Sequence, residues 1–158
     1  MSEEPTPKKS IFEYFKRLHS IEAELYQVHG LRKEGAYAER LVATALEAAV
    51  LKNGVTRGHD LHHPTYGRIE VRSRRRPLDS RQEFRLTVEE KKRGQFDYCV
   101  HVSFDRDYTV IGAYLIPHDA LFAHLDSVGR NKVRHDVGSK LPGATDITEA
   151  VQKAQAVL

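Results

Sequence analysis

Two side chains in the stretch GHDLHHPTYGRIEVRSRRRP, residues 58–77, are of types that could grip a hard cation, Asp60 and Glu70, and Arg72 could stand beside them. Pro64 and Gly67 punctuate the stretch, so the pieces at 55–63 and 68–74 read as two strands joined by a turn. Directly opposed residues of an antiparallel pair share a face. If His63 pairs with Gly67, Asp60 falls opposite Glu70. A register with Asp60 opposite Arg72 also keeps the three together, whereas one with Asp60 opposite Val71 separates them. In either even register Ile69 and Val71 turn the other way and can enter a core. Two carboxylates, with a backbone carbonyl and waters, suit magnesium or manganese. An ion held so can polarise a phosphate and activate a water, with a neighbouring guanidinium orienting that water. The chemistry is phosphodiester hydrolysis. Two other readings of the same residues stand beside it. One is an ordinary hairpin with a solvated, charged rim. The other is a zinc site built from His59, Asp60, His62 and His63, although strand alternation lets at most two of these converge and zinc takes three or four ligands.

The charge distribution favours a phosphate-bearing partner more than the net charge does. A net charge of +3 and a pI near 9.0 are only mildly basic. Residues 68–93, however, hold eight Arg and two Lys against five acids, which concentrates cations around the hairpin. Arg68, Arg74, Arg75, Arg76, Lys91 and Lys92 are the candidates for holding phosphates, the arginines through bidentate hydrogen bonds. The plainer reading of RRRP is a solvated loop.

These residues need a scaffold. The chain has 158 residues, enough for one domain with its own core. Residues 1–9 read as a disordered tail and 10–158 as a single domain whose core runs from about 36 to 126. A helix is expected at 10–29, capped by Ser10, with Ile11, Tyr14, Leu18, Ile21, Leu25 and Val28 at spacings of three and four. That seam serves either packing on the domain or a homodimer contact through residues 11–28. A second helix is expected at 36–52, stopped by Asn53-Gly54, with Glu39 on or beside its apolar face, where a carboxylate needs a partner. Strands follow at 83–87, 96–104 and 108–116, with a short polar helix or turn at 88–94 and a turn at Asp105–Asp107. A helix at 118–126 comes next, then an irregular stretch at 127–145, and a last helix with Asp146 and Glu149 at its cap and third position. Tyr98, Phe104 and His101 read as core residues. The order predicts an α/β fold, a mixed central sheet flanked by helices. No apolar run is long enough for a membrane span, no secretion signal is evident, and Cys99 has no partner for a disulfide, so no membrane partner and a cytoplasmic setting are expected.

The string HDL…GRIEVRSR, preceded by a helix bearing a glutamate and followed by FDYCVHVSFDRDYTVIGAYLIP, resembles the PD-(D/E)XK nuclease superfamily over roughly residues 36–117. The resemblance implies a restriction-endonuclease-like core and a magnesium- or manganese-dependent nuclease acting on nucleic acid, DNA foremost. It matches Asp60 to the first acid, Glu70-Val71-Arg72 to the acid–any–lysine triplet and Glu39 to the glutamate of the first core helix. It thus implies Glu39, Asp60, Glu70 and Arg72 as catalytic residues, with Asp60 and Glu70 as metal ligands. The triplet ends in arginine where the family has lysine. Arginine stays protonated and cannot act as a base, though it can orient a water and stabilise negative charge. The alternative is a catalytically degenerate domain that binds nucleic acid, or serves in an assembly, on the same fold.

Overall fold

The structure, a computed structural model, describes residues 10–31, 34–50, 59–79 and 83–158. The tail at 1–9, the Asn53-Gly54 stop and the first part of the strand expected at 55–63 lie outside them. The chain forms two units, residues 1–33 and residues 34–158.

The first unit holds one helix, α1 (Ile11–His29). Ser10 and Glu13 form a reciprocal capping box, and Gly30 closes the other end in the left-handed conformation at φ 68°, a geometry glycine adopts without steric cost. No residue of α1 is buried.

The second unit is built on a six-stranded mixed sheet in the order β1 (Ala49–Val50), β2 (Leu61–His63), β3 (Gly67–Arg75), β5 (Tyr98–Phe104), β6 (Val110–Pro117) and β8 (Thr145–Asp146). Only β3 and β5 run parallel; the other neighbours are antiparallel. Helices flank the sheet: α2 (Glu34–Leu46), α3 (His118–Val128) and α4 (Thr148–Val157). The β-branched and aromatic runs of β5 and β6 suit a strand covered on both faces, and every residue of β5 after Tyr98 is buried. One core joins Ala38, Leu41 and Val42 of α2, Val151 and Ala154 of α4, and Ile69, Val71, Val100, Val102 and Leu115 of the sheet. A second joins Cys99 and Ile116 to Phe96, to Leu121, Phe122 and Leu125 of α3, and to Val133. Phe104 is buried and stacks on Tyr37 with ring centroids 5.7 Å apart, the core role expected of it.

Three boundaries differ from the sequence reading. Helix α2 ends at Leu46 rather than near 52, because Glu47 turns to a positive φ of 55° and Ala49–Val50 pairs with Leu61–His62 as an edge strand. Residues 127–145 contain β7 (Lys132–Arg134), which pairs with β4 (Arg85–Thr87) in a separate two-stranded sheet. The last helix starts at Thr148, with Ile147 in the cap position. Asp146 belongs to β8, yet its Oδ1 still accepts the Thr148 N–H at 2.9 Å.

The β2–β3 turn rests on Gly67. It sits at φ +71°, and a Cβ built there would lie 2.5 Å from Asp97 Oδ2. That oxygen accepts the Arg68 N–H at 2.8 Å. Gly67→Ala should therefore cost about 1–3 kcal/mol. For a chain of this length the melting temperature should drop by roughly 2–4 °C per kcal/mol in a thermal scan. An unchanged melting point would mean the turn relaxes freely.

Candidate carboxylate site

The hairpin register decides whether the acids meet. His63 pairs with Gly67, His62 with Arg68 and Leu61 with Ile69, and the Asp60 N–H donates to the Ile69 carbonyl at 2.8 Å, which leaves Asp60 in electrostatic reach of Glu70 at the end of the ladder. This is the first of the two even registers. β2 stops here while β3 continues to Arg75. Asp60 Oδ2 takes the place of a further strand carbonyl and accepts the Val71 N–H at 2.8 Å. Leu61, Ile69 and Val71 are buried in the first core, as the alternation requires.

Glu39 of α2 lies in electrostatic reach of Asp60. Its carboxyl is pushed up, to about 7, by burial first, then by the neighbouring Asp60 carboxylate, then by Glu70. Glu70 is 2% exposed. It is also pushed up, to about 7, by burial and then by Asp60; Lys92 and Arg72 pull the other way. Its Oε1 faces Lys92 Nζ at 3.4 Å and Arg72 Nη1 at 3.8 Å, and its Oε2 is buried with no hydrogen-bond partner. Three acids from three elements thus repel one another in a poorly solvated place, and two of them retain protons more firmly than free carboxyls do.

Arg72 and Lys92 are the cations of this site. The Arg72 Nε donates to the Thr87 carbonyl at 3.0 Å, so β4 holds the guanidinium in place. Lys92 comes from a 3-10 turn, Glu90–Lys92, within the crossover that parallel β3 and β5 require. Beside Arg72 on β5 lies His101, 1% exposed. Its imidazole is pushed down to about 3, mainly by burial and then by Arg72, so it stays neutral. Cys99 pairs with Glu70 across the strands, and burial raises its thiol well above the usual range.

The other expected phosphate contacts are spread more widely. Arg68 is bound to Asp97, with Nη2–Oδ1 at 3.1 Å. Arg75 donates from Nε to the Arg106 carbonyl at 2.7 Å and lies over the Tyr108 ring. Arg76 pairs with Asp105 at 3.2 Å and Lys91 with Glu89 at 2.9 Å. Arg74 is exposed on β3, two residues along the same strand face from Arg72. Asp105–Asp107 is the turn it was expected to be: the Tyr108 N–H reaches the Asp105 carbonyl, and Asp107 accepts from the Thr109 N–H.

The histidines are dispersed. His63 Nδ1 accepts the Thr65 and Tyr66 N–H groups, which leaves Nε2–H to reach the Leu46 carbonyl at 3.0 Å. Both its nitrogens are thus used in tying the turn to the end of α2. Among the described residues no group of three or more His, Cys, Asp or Glu side chains is arranged to hold a metal ion. The carboxylates nevertheless fit a hard dication in kind. Asp60 and Glu70 are oxygen donors in electrostatic reach of each other, and a buried oxygen of Glu70 lacks a partner. Lys92, expected as a phosphate contact, stands against Glu70, a position the sequence does not signal. No described helix is long and apolar enough to cross a membrane.

The chain matches no protein-family model and no curated protein.

Proposed function

We propose that the chain is a magnesium- or manganese-dependent nuclease of the PD-(D/E)XK type, hydrolysing phosphodiester bonds, DNA foremost. One observation carries the reading. Glu70 is buried, one of its oxygens is unpartnered, the other faces two cations, and the Asp60 charge acts on it as well. A structural ion pair would have no use for the crowded second and third acids. Asp60 and Glu70 would hold the ion. When bound, the ion supplies charge that polarises a phosphate and favours ionisation of a water. Glu39, in electrostatic reach of Asp60, holds its proton until pH approaches about 7. Arg72, fixed by Thr87, presents a permanent positive charge to a phosphate or to a water. Lys92 presents a compact ammonium at the same carboxylate. Arg74, exposed beyond Arg72, is placed to meet a neighbouring phosphate. A reducing, cytoplasmic setting suits a chain whose one cysteine is buried and unpaired.

A second reading, a nucleic-acid-binding domain without turnover, draws support from Arg72 standing at the lysine position with its guanidinium already tied to a backbone carbonyl. Labelled duplex and single-stranded DNA, and RNA, incubated with magnesium, manganese or a chelator, separate the two. The nuclease reading expects cleavage with either metal and none with the chelator. Binding without cleavage under both metals supports the second reading. In either case affinity should fall steeply with salt, because phosphate contacts release counterions. A flat salt response sinks both.

A further inference from the structure

Helix α1 is well defined at both ends and bare along its length. The capping box at Ser10 and the left-handed Gly30 fix its limits. Ile11, Tyr14, Phe15, Leu18, Ile21, Leu25 and Val28 are all exposed, from 41% at Leu25 to 78% at Ile11. Six of them fall on alternate spacings of three and four: Ile11, Leu18 and Leu25 on one row, Tyr14, Ile21 and Val28 on the other. These are the two inward rows of a heptad repeat. Phe15 borders the seam and widens it. An apolar stripe of this length left in water is costly.

The charges beside the seam indicate what covers it. On one flank stand Arg17 and Glu24; on the other stand Glu22 and His29. When two copies lie parallel and in register, a residue on the first flank meets the residue five positions later on the second flank of its partner. Arg17 then meets Glu22, and Glu24 meets His29. In the antiparallel arrangement that aligns the same seam, Arg17 would still meet an acid, Glu24, but Phe15 would face Glu22, an apolar ring against a charge, and His29 would lose Glu24. A membrane surface suits the helix poorly. Its polar side carries Glu13, Glu22 and Glu24 against Lys16 and Arg17, whereas interfacial helices are rich in Lys and Arg.

We infer that α1 is a self-association element: copies of this chain join through parallel, in-register α1 helices along the row Ile11, Tyr14, Leu18, Ile21, Leu25 and Val28. The inference stands apart from the carboxylate site and does not depend on what that site does.

The test is the mass of the full chain by sedimentation equilibrium over a wide concentration range. A multiple of the 18.0 kDa chain mass is expected. Leu18→Glu with Ile21→Glu places charge in the seam and should give a monomer, while the unfolding transition of the body stays in place because neither residue is buried. Arg17→Glu should weaken association several-fold, and adding Glu22→Arg should restore it by reversing the pair. A wild-type chain that stays monomeric throughout overturns the inference. So does association that survives Leu18→Glu with Ile21→Glu. Failure of Glu22→Arg to rescue Arg17→Glu overturns the parallel register.

Discussion

If the chain is the nuclease proposed above, replacing Glu70 by glutamine is expected to remove metal-dependent cleavage and, at the same time, to make the metal-free chain more stable at pH 8. The two effects have one cause. Glu70 lies at 2% exposure, one oxygen has no partner, and the Asp60 charge is close by. Its ordinary pKa of 4.5 rises to about 7 in the folded chain. A carboxyl that holds its proton more tightly when folded opposes folding once that proton is gone. The cost is absent below about pH 4.5, develops as pH rises towards 7, and is complete above it. Glutamine keeps the shape and never ionises. It should therefore gain roughly 1–3 kcal/mol over the native chain at pH 8 and nothing comparable at pH 4. Cleavage should fall at least about 100-fold, and added manganese should no longer raise the melting temperature. Binding to DNA at fixed salt should change little or tighten slightly, since a negative charge has been removed. Thermal unfolding at the two pH values, with and without manganese, reads the stability arm. A glutamine variant that cuts at the native rate refutes the assignment of Glu70. One that is less stable at pH 8 shows that the carboxylate is a structural ion-pair partner, whatever its part in cleavage.

Much of this site was legible because β-structure has a period of two. Pro64 and Gly67 marked the turn but left even and odd registers open, and Ile69 and Val71 could enter the core only if Glu70 faced the other way. The structure has an even register. Glu39 was visible as an acid beside an apolar helical stripe, and in the structure it lies in electrostatic reach of Asp60. The errors have physical causes too. The run LEAAVL continues a helical composition without a break, yet a positive φ at Glu47 ends the helix. The pull there is tertiary, because the next residues complete an edge strand against β2. The cations were legible as a concentration but not as positions. Arg68, Arg75 and Arg76 pair with acids, carbonyls or rings, and Lys91 with its near neighbour Glu89. An alternation argument cannot anticipate the partners of the three arginines, because they come from loops far along the chain. Lys92 is the clearest case. Its place against Glu70 follows from the parallel pairing of β3 with β5, which requires a crossover between the two strands. Local patterns give no sign of which strands run parallel.

Lys92→Met is expected to lower cleavage about 100- to 1,000-fold, and its stability cost should depend on pH in a way that identifies its role. The ammonium lies 3.4 Å from Glu70 Oε1, while the Arg72 guanidinium lies at 3.8 Å with its Nε committed to Thr87. Lys92 is the larger of the two cationic influences holding the Glu70 pKa down. Removing it raises that pKa further, so the variant should be nearly as stable as the native chain where Glu70 is protonated, near pH 4. It should be less stable by roughly 1–2 kcal/mol where Glu70 is ionised, at pH 8. A lysine that merely packed its stem against the fold would cost the same at both values. Lys92→Arg separates charge from proton transfer. Arginine keeps the positive charge but cannot give up a proton, so its stability profile should follow the native chain. If cleavage follows as well, Lys92 acts by holding Glu70 ionised and by offsetting charge on the phosphate. If cleavage drops to the methionine level while stability is retained, the ammonium itself exchanges a proton with the attacking water, and the crossover supplies the lysine that the β3 triplet lacks. Equal cleavage in the native, arginine and methionine forms would place Lys92 outside the reaction and leave Arg72 as the only cation at the carboxylates with a part in it.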